Sequence, residues 1–228
     1  QALEIADKVL AAAGGAAAWE KAKQIKWTQI QTTAQKQGVQ AWDRWNARHY
    51  ARLDRGEAGG VVVSYDIYGT FGTAYSETKR GVKTTFPPTE RAEAVKVARL
   101  AWQLDATSMC MPFLLHEPGG KLAYAGVVKD GETEYHKLTL TFPAADTARA
   151  GLELHAIVDK TTNMLHRVEI ETPANGDRVG YQLSDWTEAG GLKFPATRKN
   201  IGNSEIVTAK DIKVGNPDDL LFVAPALH

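Results

Sequence analysis

Apolar residues in the second half of the chain fall in short runs separated by turn signals, with no helical period between them. The runs are Leu122–Val128, Tyr135–Phe142, Leu152–Val158, Met164–Ile170, Arg178–Trp186, Leu192–Ile201 and Ile206–Val214. Lys129–Gly131, Pro143–Gly151, Asp159–Asn163, Pro173–Asp177, Ala189–Gly191 and Gly202-Asn203 separate them. This spacing predicts an antiparallel meander. A sheet so large with few helices must curl or be covered on one face. One register problem is visible. Leu138, Leu140 and Phe142 share a face with Leu152, Leu154 and Val158, but simple hairpin pairing puts Arg167 and Glu169 there instead of Val168 and Ile170. A one-residue bulge near Asp159–Asn163 would restore a common apolar face; otherwise both faces are partly buried.

The first half mixes periods. Leu3, Ala6, Val9, Leu10 and Ala13 recur at helical spacing before Gly14-Gly15, and Ala16–Lys23 continues as a short helical piece anchored by Trp19. Thr28–Ala34 reads as a strand, Gln37-Gly38 as a hairpin turn, and Val39–Leu53 as one long strand with Trp42, Trp45 and Tyr50. Val61–Tyr68 and Thr73–Thr78 are further strands, closed by Pro87-Pro88. One long helix then begins with Thr89 as N-cap and Glu90 and Glu93 in its first turn. Its apolar face is Ala94, Val97, Ala98, Ala101 and Trp102, widened by Leu100 and Leu104. Met109–Leu115 follows as an apolar, sulfur-rich segment broken by Pro112, adaptable enough to repack around different partners. The tail from Asn216 to His228 is expected to dock through Leu220–Val223. No linker or repeat stands out, so residues 1–228 are expected to form one domain.

Composition narrows the function. Lys plus Arg and Asp plus Glu both number 27, for zero formal charge, which speaks against a dedicated nucleic-acid binder. Cys110 is the only cysteine, so no internal disulfide or multi-cysteine metal site can form. No apolar stretch reaches the ~18 residues of a membrane helix. The chain begins at Gln1 rather than Met, the expectation being a processed or trimmed N-terminus.

Catalytic motifs are missing: there is no nucleophile elbow, dinucleotide fingerprint, phosphate loop or zinc-protease helix. The glycine pairs 14–15, 59–60, 119–120 and 190–191 fit turns and helix ends. His155, His166 and Asp185 could meet across neighbouring strands as a metal or acid–base trio, but cross-strand polar pairs on a solvated face are the ordinary explanation. Cys110, flanked by methionines, reads as packing rather than a nucleophile. Trp102 with Met109–Leu115 could seal the sheet or cover a cavity, and both readings stand.

The order of these signals resembles the LolA/LolB-type superfamily of bacterial envelope proteins, which includes the periplasmic lipoprotein carrier. The matching pieces are Ala12-Ala13-Gly14-Gly15, Trp19 and the strand from Ile25; Asp130-Gly131-Glu132 before Tyr135–Leu140; Val158–Leu165 as a strand–turn–strand; and Tyr181–Trp186 followed by Gly190–Pro195. The resemblance implies a mainly β fold: a strongly curved antiparallel sheet, an incomplete half-barrel, covered by helices on its open concave side. It also implies export to the periplasm with a signal peptide removed, binding of a lipid, acyl chain or other apolar small molecule, and no catalysis or cofactor. Partners would be that ligand and a membrane or lipoprotein, with no nucleic acid and a monomeric chain. The carrier's lid-holding arginine finds no match in Arg44, Arg48 or Arg52. The expected cavity-lining residues are Val97, Ala98, Ala101 and Trp102; Met109, Met111, Phe113 and Leu114; and Leu138 and Leu140. No metal ligands are expected. A ligand-free interaction module of the envelope is the alternative, and a hydrolase built on His155, His166 and Asp185 a third.

Overall fold

The computed structural model describes residues 1–70, 72–172 and 178–223. The turn expected over 173–177, and the tail beyond Val223 with His228, lie outside the described residues. Two compact units are present, each assembled from separate chain segments: Gln1–Lys21 with Leu104–Ile206, and Ala22–Gln103 with the chain from Val207 onward. The thirteen strands belong to one antiparallel sheet that does not close.

The first unit holds α1 (Ala2–Ala12), α2 (Ala16–Lys21) and a meander of six strands. These are β7 (Lys121–Asp130), β8 (Thr133–Thr141), β9 (Glu153–Asp159), β10 (Leu165–Glu171), β11 (Arg178–Ala189) and β12 (Leu192–Asn200), each paired with its neighbour in sequence. All match the expected runs to within a few residues. The anticipated bulge exists but sits further on, between Leu165 and Arg167. Past it, Val168 faces Ala156 and Ile170 faces Leu154, so these residues share an apolar face with Leu138 and Leu140, while His155 and Ile157 are buried on the opposite face. His166 is the extra residue.

The second unit carries β1 (Gln24–Gln31), β2 (Lys36–Asp43), β3 (Arg48–Asp54), β4 (Gly60–Asp66), β5 (Gly72–Glu77) and the short β6 (Lys83–Thr85), again in meander order. Most of β13 (Ile206–Gly215) pairs with β1 here. The single strand expected over Val39–Leu53 is two. Asp43 accepts hydrogen bonds from the Asn46 backbone N–H at 3.0 Å and from Asn46 Nδ2 at 2.9 Å. This side-chain-closed turn reverses the chain, leaving Trp45 68% exposed at its tip. Gly38 is no turn residue either. It pairs with Gln29 and Leu53 inside β2, where a Cβ would lie 2.2 Å from the Arg52 carbonyl oxygen. The reversal before β2 falls at Thr32–Gln35, closed by the Gln35 N–H donating to Thr32 O at 3.3 Å.

Helix α3 (Pro88–Leu114) is longer than its amphipathic stripe suggests. It starts at Pro88, suited to the first helical turn because it has no N–H to leave unpaired; Thr89 therefore lies inside the helix. Pro112 does not end it, standing two residues from its last residue. What read as a segment after the helix, Met109–Leu115, is its final turns and the next residue.

Gly14 ends α1 at φ 121°, and a Cβ there would stand 2.2 Å from the Gly191 carbonyl oxygen. Gly15 also has positive φ, 87°, but open space around it. Replacing Gly14 by Ala should therefore destabilise the fold by at least ~2 kcal/mol, against ~1 kcal/mol at Gly15. Urea unfolding of the two variants measures the gap; equal losses would show that close approach to Gly191 does not matter.

Candidate functional site

In the first unit, the last turns of α3 are buried on every side. From Asp105 to Leu115 no residue is exposed or even half-buried, as befits a core helix rather than a surface one. Met109, Cys110 and Met111 are sealed, and Phe113 stacks on Trp19 of α2 with centroids 4.4 Å apart. Phe113 also meets Phe194 of β12 edge-on at 5.6 Å. Such pairs contribute about 0.5–1.5 kcal/mol beyond the area they bury. Leu138 and Leu140 lie on the shared apolar face of β8 and are likewise sealed.

Into this apolar region β12 projects Arg198, which is 0% exposed. Its Nη1 donates to the Asp105 carbonyl oxygen and to Ser108 Oγ, both at 2.8 Å, with the Asp105 carboxylate 3.7 Å away. Ser108 Oγ in turn donates to the Asp105 carbonyl at 3.1 Å. A buried cation is tolerable only when paired and hydrogen-bonded. This one is spent on a single turn of α3 and fixes the helix to the strand. Tyr181, with the Asp105 charge nearby, has its phenol pushed up to about 12, chiefly by burial.

In the second unit, the first part of α3 buries Val95, Ala98 and Trp102. Trp102 meets Trp42 of β2 edge-on at 5.9 Å. Tyr65 of β4 donates its hydroxyl to the Ala98 carbonyl at 3.2 Å, and burial raises its pKa. Arg99 lies over the Tyr65 ring at 4.6 Å and donates to the carbonyls of Ile67 (2.6 Å), Asp66 (3.0 Å) and Gly69. A second arginine thus fastens the helix through main-chain carbonyls. Beneath it, the apolar sheet face carries a buried polar ladder. Trp27 Nε1 donates to Gln29 Oε1 at 3.3 Å, Gln40 Nε2 donates to the same oxygen at 3.2 Å, and His49 Nε2 stands 3.1 Å from Gln40 Oε1. Burial alone pushes the His49 imidazole down to about 3 from 6.5.

The residues expected to line a cavity therefore divide. Met109, Met111, Phe113, Leu114, Leu138 and Leu140 are sealed in the first unit, Ala98 and Trp102 in the second, and Ala101 is half-buried. Val97 is 60% exposed; the buried stripe runs through Val95 instead, one position around the helix from the face expected from spacing. His155, His166 and Asp185 do not share a hydrogen bond or ion pair. His155 pairs with Thr139 and Glu153, His166 with Asp130 at 2.9 Å while stacking on Tyr135, and Asp185 accepts from Ser184. Among the described residues, no cluster of three or more His, Cys, Asp or Glu could hold a metal ion. Arg198, Arg99 and the ladder escaped the sequence analysis.

No protein-family model matches the sequence, and no curated protein does. Solved structures match across nearly the whole chain. A domain from Vibrio parahaemolyticus, provisionally designated an outer membrane lipoprotein-sorting protein, aligns at 11% identity and TM-score 0.50, covering 96% of this chain and 95% of that one. A DUF1329 family protein from Desulfovibrio piger aligns at 8% identity and TM-score 0.55, covering 100% and 99%. A LolA superfamily protein from Nitrosomonas europaea aligns over 99% of both chains at 11% identity and TM-score 0.49. The chain shares the fold of the Vibrio parahaemolyticus domain and the Desulfovibrio piger protein. At these identities the likeness concerns the fold alone, and the arginines and the ladder are properties of this chain.

Arg198→Met should cost about 3–5 kcal/mol, because Asp105 loses its buried counter-charge. Adding Asp105→Leu should recover part of the loss. Chemical denaturation of the single and double variants measures both; strictly additive losses would show that the two side chains act independently. His49 gives a pH signature. Its folded pKa lies below its unfolded one, so its contribution is complete above about pH 6.5. It then falls by roughly 1.4 kcal/mol per pH unit towards pH 3. The stability difference between wild type and His49→Gln should therefore shrink between pH 7 and pH 4.5. A constant difference would contradict a neutral buried imidazole.

Proposed function

We propose that the protein binds a lipid, acyl chain or other apolar ligand against the face covered by α3, as a carrier or sensor of the bacterial envelope. The observation that carries this is the composition of the buried end of α3. Met109, Cys110, Met111 and Phe113 are sealed against the rest of the first unit. Flexible sulfur side chains can repack around an inserted chain without loss of rotamer fit. Each CH₂ transferred from water would contribute about 0.8 kcal/mol. The lipoprotein-sorting designation of a protein with this fold points the same way and supports a periplasmic location with a lipid, membrane or lipoprotein as partner. The proposed contacts are Met109, Met111, Phe113, Leu114, Leu138 and Leu140 within the first unit and, separately, Ala98, Ala101 and Trp102 within the second. The role is binding rather than catalysis, consistent with the separate partners of His155, His166 and Asp185. We treat residues 1–228 as one functional domain.

A second reading has its own support. Eight of the lining positions are sealed by the protein's own atoms, which favours a filled, ligand-free interaction module. Mass spectrometry of an organic extract, from protein purified without detergent out of a bacterial host, separates the two. A lipid near one equivalent per chain is the expected outcome. An empty extract, with no uptake of an added apolar dye, would overturn the binding role in favour of the module.

A further inference from the structure

The buried ladder of the second unit has a direction, and the direction defines what can sit at its end. An indole N–H only donates, so Trp27 obliges Gln29 to present its carbonyl oxygen. That oxygen also takes the Gln40 amide N–H, which turns the Gln40 carbonyl oxygen towards His49. His49 Nε2 must then carry the proton, and Nδ1 is left as a bare acceptor. The depressed pKa of this buried ring agrees with a neutral imidazole. Among the described residues, His49 Nδ1 is sealed from solvent with no hydrogen-bond partner, and so is Trp102 Nε1, an obligate donor. Both stand beside Trp42. His49 is the cross-strand partner of Trp42 and meets Tyr65 edge-on at 5.5 Å, and Trp102 meets Trp42 at 5.9 Å. Tyr65 in turn bonds the helix one turn before Trp102. Buried polar atoms normally find partners.

We infer that His49 Nδ1 and Trp102 Nε1 form a polar end-site for an apolar ligand that terminates in a neutral hydroxyl. The inference rests on the apolar-ligand function proposed above. A hydroxyl has both the proton that Nδ1 needs and the lone pair that the indole N–H needs. A carboxylate has no proton to give Nδ1, and an ether has none either. A site built to hydrogen-bond a group discriminates against analogues that lack it.

The test compares 1-decanol with decyl methyl ether, chains of equal length of which only the alcohol can donate, by competition against an apolar fluorescent dye. Wild type should prefer the alcohol by about tenfold, the worth of one hydrogen bond. His49→Phe should bring the ratio near one. Trp102→Phe should weaken both ligands and leave the ratio standing, since either oxygen can accept from the indole. The ¹⁵N resonance of His49 Nδ1 in wild type provides a readout independent of variant folding and should move on adding decanol but not the ether. Decanol and ether bound alike, within twofold, would overturn the end-site while leaving apolar binding intact. An Nδ1 resonance that decanol leaves unmoved would also overturn it, meaning that a buried water alone satisfies the ring. If dye, alcohol and ether are all refused, the ligand-binding function itself fails.

Discussion

Burying a helix that carries charge and main-chain polarity on all sides forces a solution to its hydrogen bonding, and arginine is the solution used in each unit. Arg198 donates to a carbonyl and a hydroxyl of α3 itself. Arg99 works in the opposite sense, reaching from α3 to the carbonyls of the Ile67 turn. A guanidinium suits both tasks because its donors form a rigid fork and it is more weakly hydrated than an ammonium, so its burial is less costly. In both, the fixed geometry comes from carbonyl and hydroxyl acceptors. The Asp105 carboxylate sits farther from Arg198 than the Asp105 carbonyl oxygen does. What these bonds fix is position, and the apolar contacts of Met109, Met111 and Phe113 supply adhesion without direction.

The same division runs through the sheet face in the second unit. Trp27, Trp42 and Tyr65 offer area, whereas Gln29, Gln40 and His49 offer geometry. A half-satisfied network is worse than an apolar core, so a ladder correctly bonded from Trp27 to His49 and open only at its last atom differs from a random set of buried amides. Its register follows from strand pairing. Trp27 faces Gln40 and Trp42 faces His49 across adjacent strands, so a one-residue slip would send every member to the outer face.

Much of the β architecture was legible because period-two runs between turn residues carry it directly. All seven runs from Leu122 to Val214 became strands. The errors lie where a local cue competed with a longer pattern. Asp43 and Asn46 signal a turn on their own, but the apolar run through Trp42, Trp45 and Tyr50 concealed it. Polar Asp105, Thr107 and Ser108 interrupted the stripe of α3 and, with Pro112, suggested an end that the all-round burial of that segment overrides. The contacts of Arg198 had no sequence signature at all: it alternates along β12 like any strand cation, and its partners lie 90 and 93 residues away. The ladder draws one residue from each of three strands beside Trp27, a constellation that exists only after pairing.

An apolar cavity alone discriminates weakly, because each methylene contributes a similar free energy wherever it is buried. Affinity would then track chain length and little else. A donor and an acceptor set at one end of such a surface change this, since a wrong head group leaves both desolvated and unpaired. In the proposed end-site the His49 ladder would supply that selectivity for the chain terminus. In a core that served packing alone, an aliphatic residue at position 49 would fill the space without burying an open acceptor.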